Sequence, residues 1–156
     1  MINEPSSRPF HIIMIGAGAA GIDFIHHALQ VLPQLNVTFQ VYEKNADVGG
    51  TWFENRYPGV ACDVPSHNYQ FVWKQNPDWT SYYSGAKEIW EYMRRCVDEE
   101  DMTRFIKFQT EVDEARWDKK SGRWHIAFKT RDTDGRGWSE FEEECDVLLN
   151  GTGFLK

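Results

Sequence analysis

Four residues in the first third of the chain have the types and spacing to hold a dinucleotide. They are Gly16, Gly18 and Gly21, in the stretch Gly16-Ala17-Gly18-Ala19-Ala20-Gly21, and the acid Glu43. Gly16 permits a tight turn off a strand, Gly18 lets backbone approach a pyrophosphate, and Gly21 lets the following helix pack closely on a sheet. Phosphates bound at such a turn sit at a helix amino end, where free N–H groups and the helix dipole favour negative charge. Glu43 lies 22 residues beyond Gly21, where a carboxylate can accept hydrogen bonds from ribose hydroxyls. It would also repel a 2′-phosphate, so the site suits FAD or NAD better than NADP.

The elements around these residues are in register with that chemistry. The apolar run His11–Ile15 predicts a strand leading into the glycines, and 37–42 predicts a second strand ending at Glu43. Between them a helix is predicted from about 19 to 32, with Ile22, Ile25, Leu29 and Leu32 on one face and Pro33 stopping it. A second helix is predicted over about 86–101, with Ile89, Tyr92, Met93, Cys96 and Val97 in one stripe. Strands are predicted at 105–109, 112–118, 123–130 and 138–144. Turn signals at Ser121-Gly122 and at Asp132–Gly137 separate the last three. Trp124, Ile126 and Phe128 alternate with polar residues, as in a sheet with one wet face. A final buried strand, 145–150, ends in Gly151-Thr152-Gly153. The fold class is therefore α/β: a three-layer Rossmann-like domain with a parallel sheet and an inserted antiparallel β-meander. Residues 1–9 are expected to be a disordered lead-in, with residues 10–156 forming the dinucleotide-binding domain.

Bulk properties narrow the function classes. A length of 156 residues suits one domain with a real core. A net charge of −7 gives no basis for a nucleic-acid or anionic-membrane partner. The acidic runs Asp98–Asp101 and Glu142–Glu144 read as solvated faces. Cys62, Cys96 and Cys145 are odd in number and form no CxxC pair, which favours free thiols in a reducing compartment. The neighbours His26 and His27 point in different directions on a helix, so no metal site is expected. With no membrane-spanning stretch and no signal peptide, the expected location is the cytoplasm.

Residues 45–84 carry no sustained period and are rich in Gly, Pro, Asn, Trp and Tyr. Forty such residues inside a compact domain argue for a binding loop. The loop holds Gly49-Gly50-Thr51-Trp52-Phe53-Glu54-Asn55-Arg56-Tyr57-Pro58-Gly59, then Cys62-Asp63, Ser66 and Tyr69. Together with the glycine turn, Glu43 and Gly151-Thr152-Gly153, this pattern resembles the class B flavoprotein monooxygenases. Among them it is most similar to the Baeyer–Villiger monooxygenases, from about residue 10 to the end.

The resemblance implies that Thr51, Trp52, Phe53, Glu54, Asp63, Val64 and Tyr69 contact FAD. It implies that Ala61, Cys62 and Asp63 border NADPH where the two cofactors meet, and that the backbone of Val112 meets the adenine. Asp63 is expected to be a buried acid beside the reaction centre and the catalytic residue of this segment. The implied reaction is NADPH- and O2-dependent oxygenation of a ketone to an ester or lactone, in catabolism or secondary metabolite biosynthesis. The bland readings make Trp73, Trp79 and Trp90 hydrophobic plugs and pair Arg56 with a neighbouring acid. The family's second GxGxxG, its FxGxxxHxxxW fingerprint and its catalytic arginine do not occur here. The chain is therefore expected to be a truncated N-terminal part that turns over poorly unless a partner chain supplies the NADPH-binding half. A non-catalytic flavin-binding remnant and an N-hydroxylating flavin monooxygenase are the alternatives.

Overall fold

The computed structural model describes residues 8–132 and 136–153. Residues 1–7 of the lead-in expected at 1–9 and part of the Asp132–Gly137 turn lie outside these residues. Four strands make a parallel sheet in the order β3-β2-β1-β7, with β1 at Phe10–Ile15, β2 at Val37–Tyr42, β3 at Ile106–Lys107 and β7 at Val147–Asn150. Strands β4 (Thr110–Asp118), β5 (Arg123–Arg131) and β6 (Trp138–Cys145) form a separate antiparallel sheet. Helices α1 (Ala19–Val31) and α3 (Ala86–Glu99) cover one face of the parallel sheet, and the meander covers the other.

The two-residue alternation of the strands produces these layers. Met14 of β1 and Val41 of β2 point into the core shared with Ile22, Ile25, Ile89, Met93 and Val97 of the helices. Their neighbours Ile13 and Tyr42 point the other way, against Ile126, Phe128 and Cys145. The stripe expected on α3 is the stripe that is buried. On α1 the buried face is Gly21, Ile22, Ile25 and Ala28. Pro33 lies inside a 3-10 turn, Leu32–Gln34, that extends the helix before the chain drops into β2. All three cysteines are free and buried, and burial pushes the Cys145 thiol up to about 11.

The strand expected at 105–109 is much shorter. A 3-10 turn occupies Met102–Phe105, and Gln109 adopts a left-handed φ of +52°. A strand cannot pass through that conformation, so β3 ends early and the chain swings from the parallel sheet into the meander. The Gln109 N–H bonds the Asn45 carbonyl at 2.9 Å, and its own carbonyl accepts from Arg131 N at 3.0 Å, which holds the turn.

At the other end of the sheet Arg8 is tied down. Its guanidinium forms two bonds to Asp146, at 2.7 and 2.6 Å, and the His11 N–H donates to the same carboxylate at 2.8 Å. The Arg8 hydrogen bond is the largest influence holding the Asp146 carboxyl down at about 2, below its ordinary 3.8. A depressed folded value stabilises the protein above the ordinary carboxyl range, and that stabilisation is lost as pH falls toward 2. Arg8→Met is thus expected to lower stability at pH 7 by a small amount, since Arg8 is exposed. Urea melts at pH 7 and pH 2 check this: the gap between variant and parent closes at the lower pH.

Candidate functional site

The long segment after β2 is built by its own hydrogen bonds. Ser66, fully buried, donates from Oγ to the carbonyls of Ser81 and Tyr82 at 2.8 and 3.0 Å. The same oxygen accepts the Ser84 N–H at 2.9 Å. Cys62 N–H meets the Ser84 carbonyl at 3.0 Å, and Ala61 bridges Gly85, so residues 62–84 close on themselves above α3. Ser66→Ala leaves the buried Ser84 N–H unpaired and is expected to cost about 1–3 kcal/mol, read as a lowered denaturation midpoint. Trp73 and Trp79 pack under this loop with their N–H groups satisfied, by Asp23 at 2.9 Å and by Gln70 at 3.2 Å.

The start of the same segment forms one wall of a cleft of about 590 Å³ at the carboxyl ends of the parallel strands. Four other pieces complete it: the glycine turn, the end of β2, and the Thr110–Val112 and Asn150–Gly153 stretches. This is where open α/β sheets bind ligands. Gly18 caps α1 with no side-chain hydrogen bond, and no acid stands in the first turn. Gly18, Ala19 and Ala20 line the cleft, so the free N–H groups of the helix open onto it.

Gly21 does its work one step below. A Cβ on it would lie 2.1 Å from the Gly16 carbonyl oxygen. The close approach it permits is therefore to the turn itself, with the β2 side chain Val41 further away at 3.8 Å.

Glu43 is buried and holds the turn as well as facing the cleft. One carboxylate oxygen accepts the Ala17 N–H at 2.7 Å and the other accepts Asn45 N–H at 2.8 Å. The Ala17 carbonyl in turn accepts Gly49 N–H at 3.0 Å, which joins the glycine turn to the Gly49-Gly50 wall. Both of those glycines have positive φ, at +114° and +51°. From them rises α2, Thr51–Glu54. Trp52 donates its indole N–H to the Tyr69 hydroxyl at 2.9 Å, with the rings edge to face. Burial pushes the Tyr69 hydroxyl above its ordinary value, so it stays protonated with its own O–H available. Lys44 and Asn45 both reach Glu54, each at 2.8 Å, and the Glu54 contact keeps Lys44 charged.

Of the residues singled out from the sequence, Gly16, Gly18, Glu43, Thr51, Trp52, Glu54, Tyr69 and Val112 line this cleft. Phe53 faces away from it, toward Trp90 of α3. Among the described residues Arg56 pairs with no acid: its Nε donates to the Phe53 carbonyl at 2.9 Å and its guanidinium lies over the Phe53 ring. Ala61, Cys62, Asp63 and Val64 are not among the lining residues. Asp63 is exposed, which corrects the expectation of a buried acid: the chain turns out of the cleft before reaching it. Sequence reading missed Lys44, Asn45 and Thr110 as lining residues. The polar pair directly after the strand-terminal acid was the available signal for the first two.

Comparisons with known proteins agree with this geometry. The model of the NAD(P)-binding Rossmann-like domain matches residues 14–86. The FAD-binding monooxygenase stcW of Emericella nidulans is 40% identical over 153 residues, which is 97% of this chain and 25% of that protein. A Baeyer-Villiger monooxygenase of Pseudomonas aeruginosa is 34% identical over 150 residues, 96% of this chain and 26% of that one. Among solved structures, cyclohexanone monooxygenase from Rhodococcus sp. Phi1 bound to NADP+ superposes with a TM-score of 0.75 at 29% identity. That match covers 93% of this chain and 26% of the other. The chain spans about a quarter of the length of the curated relatives it matches. Over that span the chain is similar in sequence and fold to FAD-binding and Baeyer–Villiger-type monooxygenases.

Proposed function

We propose that this chain forms the FAD-binding part of an NADPH- and O2-dependent monooxygenase that oxygenates a ketone to an ester or lactone. The observation that carries the FAD assignment is the joining of two walls at Ala17, whose N–H is held by Glu43 and whose carbonyl is held by Gly49. One wall offers an uncapped helix amino end, suited to a pyrophosphate. The other offers Trp52 and Tyr69, suited to a flat ring system and its polar edge.

A Cβ on Gly50 would sit 3.2 Å from the Gly18 Cα, so the two walls approach as closely as backbone allows, and a dinucleotide lying across them meets main chain. When bound, FAD supplies the redox and oxygen chemistry of the family. The residues of this chain bind, orient and shield it. Glu43 and Asn45 line the cleft and would hold the ribose, and Thr110–Val112 would lie against the base. Tyr69 lines the cleft, and its hydroxyl, already accepting from Trp52, would act as a donor to the bound cofactor.

The ketone substrate and NADPH come from the family resemblance and from relatives such as the NADP+-bound cyclohexanone monooxygenase. Asp63, exposed and outside the cleft lining, would serve the second cofactor's side. Protein isolated from its native cells, given NADPH, 18O2 and a panel of cyclic and linear ketones alongside primary amines, tests the reaction. Labelled ester or lactone is the expected product. Hydroxylated amine without any ester would replace the Baeyer–Villiger assignment with N-hydroxylation.

A further inference from the structure

We propose that Arg94 of α3 is a positioning residue for the flavin side of the cleft, acting through Asp47; the inference rests on the FAD reading above. Asp47 precedes the Gly49-Gly50 turn by two residues. One of its carboxylate oxygens accepts the Val48 N–H at 2.8 Å and the Arg94 Nη1 at 2.5 Å. The Asp47 side chain is 17% exposed and that of Arg94 35%, so the pair is sheltered from water on the carboxylate side. Arg94 cannot drift, because its Nε also bonds both oxygens of Asp98 at 3.1 Å, one turn further along the helix.

One turn back on α3, Trp90 supports the same wall from behind. A Cβ on Gly49 would lie 2.8 Å from the indole Cδ1, so the turn rests directly on that ring. Gly49 then passes the placement forward, through its N–H bond to the Ala17 carbonyl. A helix that lines none of the cleft thus sets the height and tilt of the turn from which Thr51 and Trp52 rise. The guanidinium is suited to this task because its planar fork bonds two carboxylates at fixed angles, which a lysine ammonium does not enforce.

The test combines amide exchange with FAD titration on the full chain. Arg94→Met is expected to speed exchange of the Gly49 amide by about tenfold, as expected for loss of a charged hydrogen bond, while the Ile22 amide inside α1 keeps its rate. FAD affinity is expected to weaken by about the same factor. Arg94→Lys restores part of both effects. Asp47→Asn combined with Arg94→Met does no more than the worse single change, since both act through one contact. Parent-like Gly49 exchange and parent-like FAD affinity in Arg94→Met overturn the assignment. So does an increase shared equally by Gly49 and Ile22, which marks a merely structural role. Should Arg94→Met not fold, Arg94→Lys decides by the same two criteria. A parent chain that binds no FAD refutes the functional reading instead, and the exchange arm still decides whether Arg94 sets the turn.

Discussion

Gly21→Ala is expected to abolish FAD binding and to destabilise the chain by about 3 kcal/mol, at the upper end of what overpacking costs. The added methyl would lie 2.1 Å from the Gly16 carbonyl oxygen and 3.1 Å from its carbon. Neither atom belongs to a flexible side chain, so relief requires moving main chain. Gly16 cannot retreat: its N–H is bonded to the Tyr42 carbonyl at 2.8 Å, and a Cβ there would already meet the Gly151 carbonyl at 2.7 Å. The remaining escape is to lift α1 off the turn, which withdraws the helix amino end from the cleft. Chemical denaturation with a parallel FAD titration checks both effects. A variant that keeps parental stability and binding would show that α1 and the turn are not locked together.

Glu43→Ala is the second large effect. The carboxylate is 3% exposed and satisfies two main-chain N–H groups from opposite sides, at Ala17 and Asn45. Removing it leaves both donors unpaired in a water-poor site, at about 1–3 kcal/mol each. It also releases Ala17, the residue on which the two walls of the cleft meet. The expected result is a loss of about 2–5 kcal/mol together with loss of FAD binding. Glu43→Gln is expected to fall between parent and alanine. The amide keeps one acceptor oxygen but turns its NH2 toward a donor that needs an acceptor. Equal binding by parent and alanine variants would remove Glu43 from the site.

The glycine turn, Glu43, both long helices and the meander were legible in the sequence because each is specified locally. Glycine spacing fixes a turn, helical periodicity fixes a buried face, and alternation fixes a sheet face. What was not legible depends on contacts distant in sequence. The path that carries Asp63 out into solvent is set by the pairing of Ala61 and Cys62 with Gly85 and Ser84, more than twenty residues later. The early end of β3 follows from the left-handed Gln109, a conformation that a glutamine does not advertise. Glu43 was read as a ribose acceptor from its position at the strand end. That it also grips Ala17 and Asn45 emerges only once the turn folds back over β2.

The acidic runs show the same division. Read as solvated faces, they are partly engaged: Glu100 receives His26 at 2.7 Å and Glu143 receives Lys107 at 3.2 Å. The His26 ring stacks on Trp73 at 3.9 Å between centroids, tying α1 to the long loop. Neither the partner across the fold nor the ring beneath it could be read from a run of like charges.

The most direct test of the account is titration of the purified, flavin-free chain with FAD, followed by flavin fluorescence and by thermal melting. Saturable quenching of the flavin, accompanied by a rise in melting temperature and lost in Gly21→Ala, is the predicted result. Unchanged emission and an unchanged melt at saturating FAD would contradict it.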